Sequence, residues 1–265
     1  MADSIEDDRA LAVPGLRGKV VLVTGGGSGI GAAVAKGFAQ SGAKIAVHYR
    51  SNRAGAEAVA KTIEALGGQS ILVDGDMRSA DQARKVVDAV VDAFGRLDVL
   101  VNNAGAMVKR VAPADVSDEI FDEVIDVNCR TAVMTTRAAI PVFRKQASGN
   151  IINVSSVAAR FGGAGGAGIY ASAKGFILTY TRNLARELAG DGIRVNQVVP
   201  GLISTPFHDG ITSAEQMKQL QSMIPLGRVG QAEDCVGAFL FLASDTLSGY
   251  VTGQSIDVNG GQFMV

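Results

Sequence analysis

The sequence predicts a single α/β domain built on a doubly wound parallel sheet of seven strands with helices on both faces. Short β-branched runs alternate with longer amphipathic segments along the chain, which is typical of a parallel sheet buried on both sides. The 265 residues suit one such domain, and 47% hydrophobic residues can fill its core. A glycine-rich segment follows the first strand, so we expect a ligand at the carboxyl ends of the strands.

The strands are predicted from short apolar runs bounded by turn residues. The first is the clearest, because four apolar residues in a row lie between Lys19 and Thr24. Right-handed crossovers between parallel strands leave few topologies for the sheet. The predicted strands are residues 19–24, 44–49, 70–73, 98–101, 150–154, 194–199 and 254–258.

The helices are predicted from the amphipathic segments between these strands. Gly42 is placed to end the first helix, and Ser79 is placed to cap the third. Residues 205–224 are less regular. The predicted helices are residues 30–41, 54–66, 79–94, 117–144, 170–188 and 232–243.

Composition narrows the possible partners. A net charge of −1 provides no basic excess for nucleic acid. The two cysteines, Cys129 and Cys235, and the two histidines, His48 and His208, are far apart, so neither a disulfide framework nor a histidine metal site is expected.

The chain ends and the longest apolar runs bear on location. Residues 1–17 are predicted to be a mobile acidic tail, and residues 18–265 a single catalytic domain. The tail lacks the features of a secretory signal, and no apolar run has the length of a membrane span. A cytoplasmic protein without membrane partners is therefore expected.

Residues 24–31 read TGGGSGIG, between the first strand and the first helix. Glycine permits a tight turn and a close approach of the backbone to a ligand, and a helix N-terminus offers free N–H groups to a pyrophosphate. The GxGxxG spacing does not fit, because Ile30 stands where its third glycine would be. The alternative is a turn without a ligand, but the strand before and the helix after favour phosphate binding.

This glycine turn resembles the cofactor turn of the short-chain dehydrogenase/reductase family, and the resemblance covers roughly residues 16–262. Within the family, the chain is most similar to 3-oxoacyl-[acyl-carrier-protein] reductases and to bacterial sugar and polyol dehydrogenases. The resemblance implies a Rossmann-type sheet with strand order 3-2-1-4-5-6-7, hydride transfer between a nicotinamide and a carbonyl or secondary alcohol, and a homotetramer. It continues through NNAG at 102–105, Asn128, Ser155-Ser156, YASAK at 170–174, Pro200-Gly201 and YVTGQSIDVNGG at 250–261.

The end of the second strand bears on the choice of cofactor. An acidic residue about 20 positions after the glycines would bind the ribose of NAD, but residues 32–56 contain no Asp or Glu, and Tyr49 takes that position. Arg50 can pair with a 2′-phosphate through charge-assisted hydrogen bonds, although it can also be a solvated surface charge. The sequence therefore predicts NADP(H) rather than NAD(H).

The resemblance assigns further cofactor contacts. Asp76 and the backbone of Met77 are expected at the adenine ring, and Ile203 and Thr205 at the nicotinamide. The full predicted set is Gly25, Gly27, Ser28, Gly29, Ile30, Gly31, Tyr49, Arg50, Ser51, Asn52, Asp76, Met77, Asn103, Ala104, Gly105, Tyr170, Lys174, Pro200, Gly201, Ile203 and Thr205.

Tyr170 and Lys174 stand at helical spacing i and i+4, which places both on one face. A phenol with a pKa of about 10 is a poor base at neutral pH. A nearby ammonium and a cationic nicotinamide are expected to lower that pKa, so that Tyr170 serves as the acid or base. The resemblance also gives Lys174 the nicotinamide ribose.

Two further catalytic residues come from the resemblance. Ser156 is expected to hydrogen-bond the substrate oxygen, with Ser155 as a turn or packing residue, although the segment 157–169 is one residue longer than in many relatives. Asn128 resembles the residue that holds a water in a proton relay through Lys174. Its alternative role is to bond backbone within the helix.

The substrate is open at this point. A 3-oxoacyl thioester would call for basic residues near the pocket mouth, and Lys109, Arg110 and Arg160 are candidates, although they can equally be solvated surface charges. The other candidate is a sugar, polyol or other small secondary alcohol. Residues 206–225 are the expected substrate lid, in which Phe207 and Leu220, with Met217 and Met223, are candidate walls.

Proteins of another class remain possible on this fold. A non-catalytic NADP-sensing scaffold would be expected to lose the serine, tyrosine or lysine. A lyase or dehalogenase would alter the glycine turn or replace the lysine. All of these residues are present, so the sequence favours the oxidoreductase.

Overall fold

The computed structural model describes residues 12–163 and 165–264, and within them seven parallel strands form one sheet in the order β3-β2-β1-β4-β5-β6-β9. The predicted fold and strand order are confirmed. The strand predicted as the seventh is β9, because two short strands, β7 and β8, pair apart from the sheet. The strands are β1 (Val20–Val23), β2 (Lys44–Tyr49), β3 (Gln69–Asp74), β4 (Val99–Asn102), β5 (Gly149–Val154), β6 (Ile193–Pro200), β7 (Ile203–Ser204), β8 (Gly230–Gln231) and β9 (Ser255–Val258).

Helices connect these strands. The predicted long helix over 117–144 is observed as two α-helices, α4 and α5, joined by a π-helical turn at Asp126–Arg130. The α-helices are α1 (Gly29–Gln40), α2 (Arg53–Ala65), α3 (Ala80–Phe94), α4 (Asp118–Ile125), α5 (Thr131–Gln146), α6 (Ala158–Phe161), α7 (Gly168–Leu188), α8 (Ala214–Ser222), α9 (Ala232–Ala243) and α10 (Asp245–Ser248).

Strand β1 is apolar and buried in every position, so it packs against a core on each face of the sheet. In β1, Val21 and Val23 pack into the core that includes α1 and α9, whereas Val20 and Leu22 pack into the core that includes α3 and α5. Strand order reverses between β1 and β4. The carboxyl ends of these two strands therefore form the crevice in which such sheets bind ligands.

The start of the chain packs against this core. Leu16 is fully buried, and the hydroxyl of Ser244 donates to the carbonyl oxygen of Pro14 at 2.6 Å. Residues 1–11 of the predicted tail lie outside the described residues. The packed domain therefore begins before residue 18.

Helix α9 carries the longest apolar run of the C-terminal part. Phe239, Leu240 and Leu242 are buried in the same core as α1, whereas Phe241 is 37% exposed. Packing within the subunit thus accounts for most of this apolar surface. No helix in the described part of the chain is both long and apolar enough to span a membrane.

Candidate active site

The crevice at the ends of β1 and β4 opens into a cavity of about 540 Å³. It joins the glycine turn to the residues predicted for catalysis, so the motifs that lie far apart in sequence meet in one place. The predicted site residues that line it are Gly25, Ser28, Gly29, Ile30, Arg50, Asp76, Met77, Asn103, Ala104, Gly105, Ser156, Tyr170, Lys174, Pro200, Gly201, Ile203 and Thr205.

Some predicted residues lie behind the lining instead. Asn52 is the N-cap of α2: its Oδ1 accepts from the Gly55 amide at 3.0 Å and its Nδ2 donates to the Gly27 carbonyl at 3.3 Å. Its side chain thus supports the glycine turn from outside, where sequence reasoning had expected a cofactor contact. The predicted residues outside the lining are Gly27, Gly31, Tyr49, Ser51, Asn52 and Asn128.

The glycine turn is packed too tightly for larger residues. A Cβ added to Gly31 would collide with the Gly25 carbonyl oxygen, and one added to Gly25 would lie 3.2 Å from Ala104 Cα. The side-chain Nδ2 of Asn103 donates to the carbonyl oxygens of Thr24 at 2.9 Å and Gly25 at 3.2 Å. These contacts hold a backbone cradle in front of the first N–H groups of α1.

That cradle fits a dinucleotide. The N-cap residue of α1, Ser28, makes no side-chain capping hydrogen bond, and the first amides of a helix have no partner within the helix. Such amides, together with the helix dipole, favour an anionic group. A pyrophosphate therefore suits the turn, as the sequence analysis expected.

His48 is a residue of this site that sequence reasoning did not identify. It is buried at the end of β2, where its Nδ1 lies 3.1 Å from the Gly25 nitrogen and its Nε2 lies 2.9 Å from the Gly75 carbonyl oxygen. Burial lowers the pKa of His48 below its ordinary value. A single histidine within an apolar strand gives no pattern that indicates a position beneath a turn.

The cavity floor next to β3 carries the residues expected at the adenine. Met77 is buried, and the Asp76 carboxylate accepts hydrogen bonds from Nε of Arg78 at 2.9 Å and from its Nη2. Those bonds lower the pKa of Asp76. Arg50 is exposed at the cavity edge. The Asp76 carboxylate accepts its hydrogen bonds from Arg78 and not from the Arg50 guanidinium.

Tyr170 lies deep in the cavity, and burial raises its pKa to about 12, although a hydrogen bond with Ser156 acts in the opposite direction. Lys174 is not among the causes of this shift. The Nζ of Lys174 lies 5.9 Å from the centre of the Tyr170 ring and donates to the Val154 carbonyl at 3.0 Å. The expected lowering of the pKa by the ammonium and a bound cationic nicotinamide stays a prediction.

Burial acts on the lysine in the other direction. Lys174 is 4% exposed, and desolvation lowers its pKa to about 8. Its ammonium is thus still favoured at neutral pH, but by a small margin. The cavity holds the phenol protonated and the lysine close to its titration point.

The two adjacent serines have different surroundings. The hydroxyl of Ser155 is buried and donates to the Lys174 carbonyl at 2.8 Å. The Ser156 hydroxyl accepts from the Ala158 amide at 3.2 Å and hydrogen-bonds Tyr170. Ser156 is therefore the serine beside the phenol, despite the longer segment that follows it.

Asn128 lies in the π-helical turn between α4 and α5 and is 1% exposed. Its Nδ2 donates to the carbonyl oxygens of Ala106 at 2.7 Å and Val124 at 2.9 Å, and its Oδ1 accepts from the Ala106 amide at 3.2 Å. These bonds use both N–H groups of the side chain and one oxygen lone pair. Asn128 thus fixes the loop after β4, directly behind Gly105 and Lys174.

The other end of the cavity is bounded by the expected lid. The ring of Phe207 lies 5.6 Å from that of Tyr170, and Leu220 of α8 also lines the cavity. Met217 and Met223 do not belong to the lining, and Met223 is 50% exposed. Only part of the predicted apolar wall is therefore observed.

The three basic residues that could bind an acyl carrier lie in different surroundings in the structure. Arg110 lines the cavity and donates to the carbonyl of Gly165 and the hydroxyl of Thr212. Lys109 is exposed. Arg160 pairs with Asp257 at 2.9 Å and is largely buried, so it is not a surface contact for a carrier. Among the described residues, no group of metal-ligating side chains is found.

The fold and this cavity define a class of protein, the dinucleotide-dependent oxidoreductases. The family model described as Enoyl-(Acyl carrier protein) reductase matches residues 25–262. The chain is 39% identical over 249 residues to a 3-oxoacyl-[acyl-carrier-protein] reductase from Synechocystis sp., covering 94% of this chain and 98% of that protein. It is 40% identical over 246 residues to 3-oxoacyl-[acyl-carrier-protein] reductase FabG of Staphylococcus aureus, covering 93% and 98%.

Solved structures agree with the curated relatives. The crystal structure of the NADH-dependent reductase A1-R′ complexed with NAD matches with a TM-score of 0.84 and 34% identity, covering 94% of this chain and 98% of that chain. The chain belongs to the short-chain dehydrogenase/reductase family and is an NAD(P)-dependent, 3-oxoacyl reductase-like oxidoreductase.

Proposed function

We propose that this enzyme uses NADP(H) to reduce the ketone of a 3-oxoacyl thioester, with Tyr170, Ser156 and Lys174 as its catalytic groups. One observation carries the proposal: the hydrogen-bonded Ser156–Tyr170 pair and Lys174 line the same cavity as the glycine turn. A proton donor and a cofactor cradle in one cavity are what carbonyl reduction requires.

The residues of the cradle hold the cofactor. Amides at the start of α1 bind the pyrophosphate, while Asp76 and Met77 border the adenine. At the other end, Ile203 and Thr205 face the nicotinamide amide, and the remaining predicted residues that line the cavity complete the contact. A Lys174 ammonium suits the ribose hydroxyls, because Nζ retains hydrogen atoms beyond the one given to Val154.

Bound NADPH supplies a hydride to the carbonyl carbon. The Tyr170 hydroxyl donates its proton to the carbonyl oxygen, and its pKa of about 12 keeps it protonated, as reduction requires, at neutral pH. Ser156 donates a hydrogen bond to the same oxygen and stabilises its developing negative charge. Asn128 holds the loop at Ala106 in place, with a second oxygen lone pair available for the expected water relay.

The preference for NADP(H) rests on Arg50. Its guanidinium is exposed at the cavity edge next to the end of β2, where a 2′-phosphate can receive charge-assisted hydrogen bonds. Tyr49 leaves that edge without the carboxylate that would repel the phosphate. NAD(H) is the second candidate, because the neighbour A1-R′ is described as NADH-dependent.

The substrate has two candidates supported by different relatives. The curated relatives are named 3-oxoacyl reductases, which favours a thioester. A neighbour with 34% identity is described as responsible for alginate metabolism, which favours a small carbohydrate-derived ketone or aldehyde. The apolar wall at Phe207 and Leu220 suits an acyl chain better than a polyol.

A substrate panel tests the proposed function. Acetoacetyl thioesters of coenzyme A and of acyl carrier protein, and a set of sugar and uronate carbonyls, are offered with NADPH or NADH, and loss of reduced cofactor is followed by absorbance. We expect the highest kcat/KM with a 3-oxoacyl thioester and NADPH. Turnover confined to the sugar carbonyls would make a sugar carbonyl, and not the thioester, the proposed substrate. Stoichiometric NADPH binding without turnover of any substrate would favour the sensing scaffold.

The assembly and location remain expectations of the sequence analysis. We expect a homotetramer in the cytoplasm. Light scattering of the purified protein tests the assembly, and a monomeric mass would exclude it.

A further inference from the structure

The glycine turn is supported from below by an imidazole. His48 is 2% exposed and lies at the carboxyl end of β2, beside β1. Its Nδ1 is 3.1 Å from the backbone nitrogen of Gly25, and its Nε2 is 2.9 Å from the carbonyl oxygen of Gly75. The ring therefore joins the turn after β1 to the loop after β3, and both segments line the cavity.

These two contacts determine the protonation state of the ring. The Gly25 amide can only donate, so Nδ1 has to be the bare, accepting nitrogen. The Gly75 carbonyl can only accept, so Nε2 carries the hydrogen. A second proton, on Nδ1, would set two N–H groups against each other and remove the acceptor of the Gly25 amide.

We propose that neutral His48 is a positioning residue for the cofactor: it holds the Gly25 amide, and with it the glycine turn, in the shape that binds the pyrophosphate, and its protonation releases the turn and weakens dinucleotide binding in acid. This inference rests on the proposed function, because it requires the dinucleotide to bind at the turn. His48 also borders the cavity, but both of its ring nitrogens are engaged by backbone groups, so it acts on the cofactor through the Gly25 backbone.

Burial sets the direction of the His48 pKa shift, against the charges around the ring. Burial lowers the pKa of His48 and outweighs the bond to Gly75 and the carboxylates of Asp74 and Asp76, which raise it. Arg50 lies close enough to Asp76 to lower the pKa of that carboxyl. Residues 24–31 and β1 contribute no charged side chain.

The sign of the pH dependence follows from that direction. Because the pKa of His48 in the folded chain lies below the ordinary value of 6.5, the bond to Gly25 is fully present above about pH 6.5. It is lost as the pH falls through the lowered pKa. Below that point, linkage to one proton raises the dissociation constant by up to about tenfold per pH unit.

Two variants separate the two nitrogens of the ring. In His48→Asn, Oδ1 is attached to Cγ as Nδ1 is, so it can accept from the Gly25 amide, and it does not titrate. In His48→Gln, the amide lies one bond further out, where it can reach the Gly75 carbonyl but not the Gly25 amide. His48→Asn therefore keeps the proposed positioning bond to the Gly25 amide. His48→Gln keeps only the bond to the Gly75 carbonyl in the loop after β3.

Dissociation constants for NADPH, measured by fluorescence of the bound cofactor between about pH 5 and pH 8, test the proposal. We expect the ratio of the wild-type constant to that of His48→Asn to rise as the pH falls through the lowered pKa of His48, by up to about tenfold per pH unit below it. At the alkaline end, we expect His48→Asn to bind within about threefold of wild type, and His48→Gln to bind about tenfold more weakly because a buried N–H loses its acceptor. NADH serves as a control, since it lacks the 2′-phosphate that titrates near pH 6.

Parallel pH curves for wild type and His48→Asn would overturn the proposal, and so would tight binding by His48→Gln. A further readout needs no cofactor: nitrogen NMR of the free protein reports the tautomer of His48, with His48→Asn assigning its signal against that of His208. We expect hydrogen on Nε2 alone at neutral pH, and hydrogen on Nδ1 would overturn the proposal even if a variant failed to fold. If wild type bound neither dinucleotide at any pH, the proposed function itself would fail, while the NMR result would stand.

Discussion

The two ends of the cavity differ in what gives them their shape. At the cofactor end, backbone atoms do so: a Cβ on Gly31 would collide with the Gly25 carbonyl oxygen. At the substrate end, the side chains of Phe207 and Leu220 form the wall. The cofactor end therefore accepts one kind of ligand. At the substrate end, substitution of side chains can change which substrate binds.

Tyr170 lies where the two regions meet, so its removal should have the largest effect. For Tyr170→Phe, we expect kcat to fall by at least about 10²-fold, because the proton donor is lost. Binding of NADPH should be retained, since the phenol hydroxyl is not part of the glycine turn. Steady-state kinetics and NADPH titration measure the two effects, and near-normal turnover would reject Tyr170 as the acid.

The neighbouring serines provide a matched pair on the catalytic side. For Ser156→Ala, we expect a fall in kcat of about 10²-fold, because its hydroxyl hydrogen-bonds Tyr170. For Ser155→Ala, we expect kcat to change little and the free energy of unfolding to fall by about 1 kcal/mol, because a buried hydrogen bond to Lys174 is lost. The opposite assignment of the two effects would make Ser155 the catalytic serine.

A pair of glycines tests how tightly the cofactor end is packed. For Gly31→Ala, we expect NADPH to bind at least about tenfold more weakly and the protein to lose about 1–3 kcal/mol of stability through overpacking. Gly168→Ala is the control, because nothing lies within 4 Å of the added Cβ. Denaturant unfolding and NADPH titration provide the measurements. Equal effects of the two substitutions would show that the backbone of the glycine turn does not restrict the cofactor end.

Arg50 stands at the exposed margin of the cofactor end, and we expect its effect to be the smallest. The wild type should prefer NADPH over NADH by about tenfold or more in kcat/KM, and Arg50→Asp should abolish that preference by replacing attraction to the 2′-phosphate with repulsion. Arg53→Asp is the matched control, because Arg53 pairs with Glu57 on α2. A wild type that prefers NADH would show that the inference from Arg50 is wrong.

The same contrast explains what the sequence could predict. The strands and the glycine turn follow from local patterns, and the helical spacing of Tyr170 and Lys174 places them on one face. The strand order came from the resemblance to the family. The pKa of Tyr170 could not be predicted, because its burial against Phe207 depends on chain segments far apart in sequence. A histidine within an apolar strand likewise gives no sign that its ring lies beneath Gly25.

Local irregularities were also missed. The π-helical turn at Asp126–Arg130 interrupts a segment whose periodicity predicts one continuous helix, since a single extra residue hardly changes the pattern. It is the turn that carries Asn128. Similarly, neighbouring serines cannot be told apart by type, and only the contacts of their hydroxyls distinguish Ser155 from Ser156.

The most direct test of the account is a crystal structure of the enzyme with NADP(H) and a 3-oxoacyl thioester or an unreactive analogue. We predict that the pyrophosphate lies at the amides of the glycine turn and that the substrate oxygen lies within about 2.6–3.2 Å of the Tyr170 hydroxyl, with the reactive ring carbon about 3–3.5 Å from the carbonyl carbon. A nicotinamide bound far from Tyr170, with no movement of the lid able to bring the two together, would contradict it.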